Sequence, residues 1–69
     1  MEQDQLTLNK LLIFSGPGGR NIKLRIAKII DDAQLQLEIL ESELPTRKIG
    51  TVFTVPILYL MDCGMYKLV

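Results

Sequence analysis

The stretch Arg20-Asn-Ile-Lys-Leu-Arg-Ile-Ala-Lys-Ile-Ile-Asp-Asp-Ala33 decides which fold this chain can have. Ile22, Ile26, Ile29, Ile30 and Ala33 fall on one helical face, the spacing that lets a helix bury one stripe. Ile22-Lys-Leu-Arg-Ile26 also alternates apolar and charged residues, which is the period of a half-buried strand. We read 20–33 as a helix closed by Asp31 and Asp32. Beside it stands a rival, a β-hairpin over 11–26 turned by the intervening glycines. Charge divides the two readings. In a helix, Arg20, Lys23, Arg25 and Lys28 would crowd the N-terminal half and Asp31 and Asp32 the C-terminal end, opposing the macrodipole. Either those cations meet an anionic partner, or the segment is a strand and the conflict vanishes.

Upstream, Leu11-Leu-Ile-Phe14 is an uninterrupted apolar run, and Lys10 to Ser15 reads as a central strand buried on both faces. Ser15-Gly-Pro-Gly-Gly19 then allows a sharp turn. Downstream, Gln34-Leu-Gln-Leu-Glu-Ile39 alternates strictly and predicts an edge strand with Leu35, Leu37 and Ile39 on one face. Strand, helix and strand with short links form a right-handed βαβ unit. Glu41 to Gly50 is polar, with one helical turn expected over Pro45 to Ile49. Thr51 to Met61 is nearly all apolar, and Pro56 stands where a strand could begin, because proline has no amide to give a ladder. Ile57 to Met61 is therefore expected as a strand, turned at Asp62-Cys-Gly64 into a last strand, Met65 to Val69. Residues 1–5 are expected to be a disordered tail, and 6–69 a single domain.

The chain has 69 residues, close to the lower limit for a core without staples, and 48% of them are hydrophobic. So small a body leaves apolar side chains exposed, which predicts a homo-oligomer or a protein partner. Lysine plus arginine equals aspartate plus glutamate at eight each, giving no general pull toward nucleic acid or membrane. One cysteine and no histidine leave no internal disulfide and few metal or acid–base ligands. A cytoplasmic protein with no metal and no cofactor is the resulting expectation. Ser15 to Arg20 is not a phosphate loop, since the Gly-Lys-Ser/Thr that such chemistry requires is missing.

Ile13-Phe-Ser-Gly-Pro-Gly18, followed by Thr54-Val-Pro56 and Asp62-Cys-Gly64, resembles in order and spacing the thioredoxin-like fold, glutaredoxins above all. The resemblance covers roughly residues 10–69. It implies an α/β domain, β-α-β and then a β-hairpin opened by a cis Val55–Pro56 bond, a state reached cheaply only before proline. Where the redox members carry Cys-X-X-Cys, this chain has Gly19-Arg-Asn-Ile22, and no other side chain replaces a thiolate in disulfide exchange. No oxidoreductase, and no enzyme, is expected. The usual C-terminal helix is also missing, which would leave Met61, Met65, Tyr66 and Leu68 as an oligomer surface. Cysteine-free thioredoxin-like domains such as the KaiB clock proteins, to which the chain is similar, act as protein-interaction modules.

That resemblance implies one candidate site. Gly18, Gly19, Arg20, Asn21 and Lys23 would face Thr54, Val55 and Pro56 across a pocket for a partner or an anion such as glutathione. A third reading, from another class, is a small nucleic-acid-binding module using Arg20, Lys23, Arg25 and Lys28. Each feature also has a plainer role: a tight turn, a solvated face, ordinary core packing.

Overall fold

The computed structural model describes residues 2–69. Its strands are β1 (Leu11–Ser15), β2 (Asn21–Ile29), β3 (Gln34–Ser42), β4 (Val52–Pro56) and β5 (Tyr66–Leu68), with one helix, α1 (Ile57–Asp62). They form a five-stranded sheet in the order β4-β3-β2-β1-β5, and every neighbouring pair is antiparallel. The first four strands follow one another as a meander. The chain then crosses one face of the sheet through α1 and lays β5 against β1.

This overturns the α/β thioredoxin-like expectation, and the ambiguous stretch is where it fails. Residues 21–29 are the second strand of a hairpin with β1, in the register Leu11↔Arg25 to Ser15↔Asn21. Ile22, Leu24 and Ile26 are buried, whereas Ile29 and Ile30 are 44% and 42% exposed. The period of two therefore prevails over the period of 3.6. The charges account for the choice. As a strand, the segment sets Lys23 opposite Glu41 and Arg25 opposite Glu38, favourable cross-strand pairs in place of a dipole conflict. Glu38 and Glu41 thus face the cations of β2 from the neighbouring strand. β3 keeps Leu35, Leu37 and Ile39 on its buried face as expected, but it lies inside the sheet, flanked by β2 and β4.

The second failure is at Pro56. Among the described residues there is no cis peptide bond, so Val55–Pro56 is trans. Pro56 ends β4, and the residues after it coil into α1 instead of starting a strand. Ile57-Leu-Tyr-Leu-Met61 is apolar throughout, so its period could not be read from sequence. In the fold Ile57 and Leu60, three apart, are buried, while Leu58 and Tyr59 face outward. A six-residue helix does not hold by itself, and burial of this face supplies what propensity cannot. Gly64 follows the helix at φ 73°, the left-handed conformation that lets the chain leave a helix and that glycine adopts freely. No hairpin exists between 57–61 and 65–69, and the expected turn at Asp62-Cys-Gly64 is a helix exit.

Pro56 has a clear role at the sheet edge. Ile39 donates to the Thr51 carbonyl at 2.9 Å and accepts from the Gly50 amide at 2.7 Å, so two residues oppose one in a bulge, with Gly50 at φ 89°. Alternation along the ladder then turns the amide positions of Val52, Thr54 and Pro56 to the open side. Proline is tolerated on an edge strand where its missing donor faces solvent. β1 is not buried on both faces, because only Leu12 of its five residues is buried. The segment 45–49 forms a turn, closed by the Arg47 amide on the Leu44 carbonyl at 3.1 Å, and not a helical turn.

Two register shifts curl the sheet. Leu40 is passed over between the pairs Lys23↔Glu41 and Leu24↔Ile39, and Ala27 between Ile26↔Leu37 and Lys28↔Gln36. The curled inner face carries Leu12, Leu24, Ile26, Leu35, Leu37 and Ile39, each no more than 1% exposed, with Leu60 of the helix above them. The expected tail is placed as a 3-10 turn, Gln3–Gln5, tied by the Gln3 side chain, whose Nε2 donates to the Asp32 carbonyl at 3.0 Å, and followed by buried Leu6. Met1 lies outside the described residues.

Candidate functional site

Three loops meet at one end of the sheet. The Gly16 amide donates to the Arg20 carbonyl at 2.8 Å, closing the β1–β2 turn. The Glu43 amide donates to the Asn21 carbonyl at 3.1 Å, and the Glu43 carboxylate accepts from the Asn21 amide at 2.6 Å. The Ser15 amide donates to the Met65 carbonyl at 2.9 Å, bringing the exit of α1 to the same end. Pro56 is at the other end, since Val55 pairs with Leu35 and Leu35 with Ile29. The nine residues of β2 separate the two groups by roughly 25 Å at about 3.3 Å per residue.

The expected site is therefore not assembled. Gly18, Gly19, Arg20 and Asn21 sit at the loop end, while Thr54, Val55 and Pro56 lie on the far edge strand. Val55 is buried in the core, and Thr54 and Pro56 are exposed. Lys23 lies two residues further along β2 on the sheet's outer face, opposite Glu41 and beside Asn21 and Glu43. The cations of β2 are not a free set either. Arg25 donates from Nε to Glu38 at 3.0 Å and from NH1 to Asn9 at 2.8 Å, and its NH2 closes an ion pair with the same Glu38. Of the expected oligomer surface, Met61, Tyr66 and Leu68 pack against the core, and only Met65 is exposed.

What the fold gathers at the loop end is different. A cleft of about 70 Å³ opens between the inner face of the sheet and α1. Phe14, Ile22, Leu24 and Ile39 form its floor, and Phe53, Tyr59, Tyr66 and Arg47 its walls. The chain has two phenylalanines and two tyrosines, and all four line this one space. They come from β1, β4, α1 and β5, so the cleft exists only because β5 returns beside β1. Register places Phe14 across from Tyr66, with ring centroids 4.9 Å apart, and Tyr59 meets Tyr66 edge-on at 5.9 Å.

The polar groups of the cleft are two hydroxyls and a guanidinium. The neighbouring Cys63 side chain, first as a polar partner and then through the negative charge of its thiolate form, pushes the Tyr59 hydroxyl above its ordinary range. Burial, and then the neighbouring Tyr59 and Cys63, push the Tyr66 hydroxyl up. The positive charge of Arg47, which lines the same cleft, acts on both hydroxyls in the opposite direction and more weakly. Arg25–Glu38 is the one ion pair among the described residues, which leaves Arg47 without a carboxylate of its own. Both tyrosines are neutral at physiological pH, so the cleft is an apolar slot with one cation at its wall.

Two wider concavities carry less chemistry. One, of about 400 Å³, lies by Gln3, Asp31–Gln34 and Pro56–Leu58, but the Asp31 carboxylate there already accepts from the amides of Ala33 and Gln34 at 2.7 and 2.9 Å. The other, of about 440 Å³, is on the outer face by Ile13, Lys23 and Glu41, where opposite charges face each other. Among the described residues no three His, Cys, Asp or Glu side chains gather as metal ligands would, and no helix is long and apolar enough to cross a membrane. Compared with known proteins, the chain matches no family model, no curated protein and no solved structure.

Proposed function

We propose that this domain is a protein-interaction module whose contact point is the aromatic cleft. The convergence of all four aromatic rings on one partly open space carries the reading. Aromatic side chains supply large, stiff contact area at little entropic cost and are enriched where proteins bind partners. A space of about 70 Å³ is roughly that of two waters, so it suits the branched end of an aliphatic side chain better than a cofactor ring. Ligand pockets for small molecules are several times larger. The partner therefore inserts one side chain and rests its backbone across the rim.

The test is an NMR titration of the intact domain with acetyl-Gln-Leu-Leu-Gln-amide, watching the amides of Phe14, Phe53, Tyr59 and Tyr66. Saturable shifts confined to these positions support the reading. Shifts absent at millimolar peptide, or spread evenly over the outer face of the sheet, contradict it.

A further inference from the structure

Arg47 adds a second requirement to that cleft, and it rests on the reading just given. Its side chain is on the cleft wall, it has no carboxylate partner among the described residues, and its charge reaches the hydroxyls of both Tyr59 and Tyr66. The next residue in the same exposed turn is Lys48. A guanidinium presents a planar fork of donors that fits a carboxylate with two parallel hydrogen bonds. Arg25, on the outer face of the sheet, is by contrast already held by Glu38 and Asn9. We infer that the occupant of the cleft is an acidic protein segment, one that places a branched aliphatic side chain among the aromatic rings and a carboxylate against Arg47.

The phenols shape the same preference. As neutral hydroxyls they can donate to a carboxylate, and the positive guanidinium on the same cleft wall disfavours a lysine or arginine on the ligand. Charge thus works in both directions, attracting acidic segments and rejecting basic ones. Because Arg47 is exposed, its contribution is modest and sensitive to salt.

Three peptides test this on the intact domain: acetyl-Glu-Leu-Leu-Glu-amide, the glutamine form used above, and acetyl-Lys-Leu-Leu-Lys-amide. The acidic peptide is expected to bind about fivefold more tightly than the neutral one, the basic one more weakly than either, and the difference to shrink as salt rises from about 20 to about 300 mM. Arg47→Gln is expected to bring the affinities of the acidic and neutral peptides to within about twofold of one another and to remove the salt dependence of their difference. Arg47 is exposed, so the variant retains the fold, which an unchanged amide spectrum away from the cleft verifies. Equal binding of all three peptides overturns the inference and leaves the interaction module standing. Binding of none overturns both. Inorganic phosphate reproducing the shifts of the acidic peptide would reduce the site to simple anion binding and overturn it. Shifts at the cleft that grow with protein concentration alone would assign the space to a second copy and overturn it as well.

Discussion

Truncating Leu24 and Ile29 separately distinguishes the strand from the helix more sharply than any other pair of substitutions. On a helix over 20–33, Ile29 belongs to the buried stripe and Leu24 lies off it. In the sheet the order is reversed, since Leu24 is 1% exposed at the centre of β2 and Ile29 is 44% exposed at its end. Removing a fully buried leucine side chain costs about 3–5 kcal/mol, the transfer of its carbons plus the cavity left behind. A half-exposed isoleucine gives up little on truncation, so Ile29→Ala is expected to cost under about 1.5 kcal/mol. A domain of 69 residues has roughly 3–10 kcal/mol to lose, at about 0.05–0.15 per residue. Urea unfolding followed by circular dichroism reads both values. With a slope of about 1 kcal/mol per molar, Leu24→Ala moves the midpoint down by about 3 M or abolishes folding. Should it fail to fold, Leu24→Val gives a measurable loss of about 1–2 kcal/mol. A nearly neutral Leu24→Ala together with a severe Ile29→Ala would refute the register and restore the helix.

Other expectations follow from single contacts. A β-carbon at Gly16 would stand 2.9 Å from the Arg20 carbonyl oxygen, so Gly16→Ala is expected to lower the thermal midpoint, at a cost of about 1–3 kcal/mol from overpacking. Glu38→Gln removes one partner of a partly exposed ion pair, and denaturation should show a loss below about 1 kcal/mol. Pro56→Ala restores an amide donor on the open side of β4, and sedimentation across a concentration series should show more self-association than the parent. Burial raises the Tyr66 hydroxyl above its ordinary 10.0, so the folded state holds this proton longer than the unfolded one. Its contribution is therefore complete below pH 10.0 and falls as pH rises beyond it, and Tyr66→Phe should flatten that part of the stability profile.

The legible parts of this sequence were those with a single period. Leu35, Leu37 and Ile39 alternate without competition, and they share the buried face of β3 as read. Lys10 to Ser15 reads as a strand and Leu11–Ser15 forms one, though the partial exposure around Leu12 shows that a continuous apolar run need not be buried on both sides. Residues 20–33 carried two periods at once. The deciding information lay across the sheet, in the opposition of Lys23 and Arg25 to Glu41 and Glu38, which local spacing cannot show. Ile57 to Met61 carried no period at all, and its helical form depends on tertiary burial of Ile57 and Leu60. Taking Pro56 as the head of a strand placed it at the wrong end, because a donorless residue can close an edge strand as readily as open one.

The candidate site was not legible for a related reason. Phe14, Arg47, Phe53, Tyr59 and Tyr66 are spread over more than fifty positions and share no local pattern, and only Tyr66 attracted notice. The scarcity of aromatic residues was the one available signal, since four rings in a small domain have few places to be. The glycine loop and Val55–Pro56 drew attention through a topology that the chain does not adopt. They lie at opposite ends of the sheet, and the arginine that faces an apolar slot belongs to a turn that looked like a solvated connection.

Everything proposed for the cleft depends on β5 returning beside β1, because that pairing brings Tyr66 to Phe14. In the antiparallel ladder Phe14↔Tyr66 and Leu12↔Leu68 are opposed, and the bonds of Ser15 to Met65 and of Val69 to Leu11 make both the non-hydrogen-bonded kind, with the closest α-carbons. Cross-strand NOEs between the α-protons of Phe14 and Tyr66, and of Leu12 and Leu68, are the direct measurement. Strong peaks at both pairs are expected, with Phe14–Tyr66 ring contacts beside them. Their absence, with α-proton contacts joining 65–69 to 57–61 instead, would contradict the topology and the aromatic cleft with it.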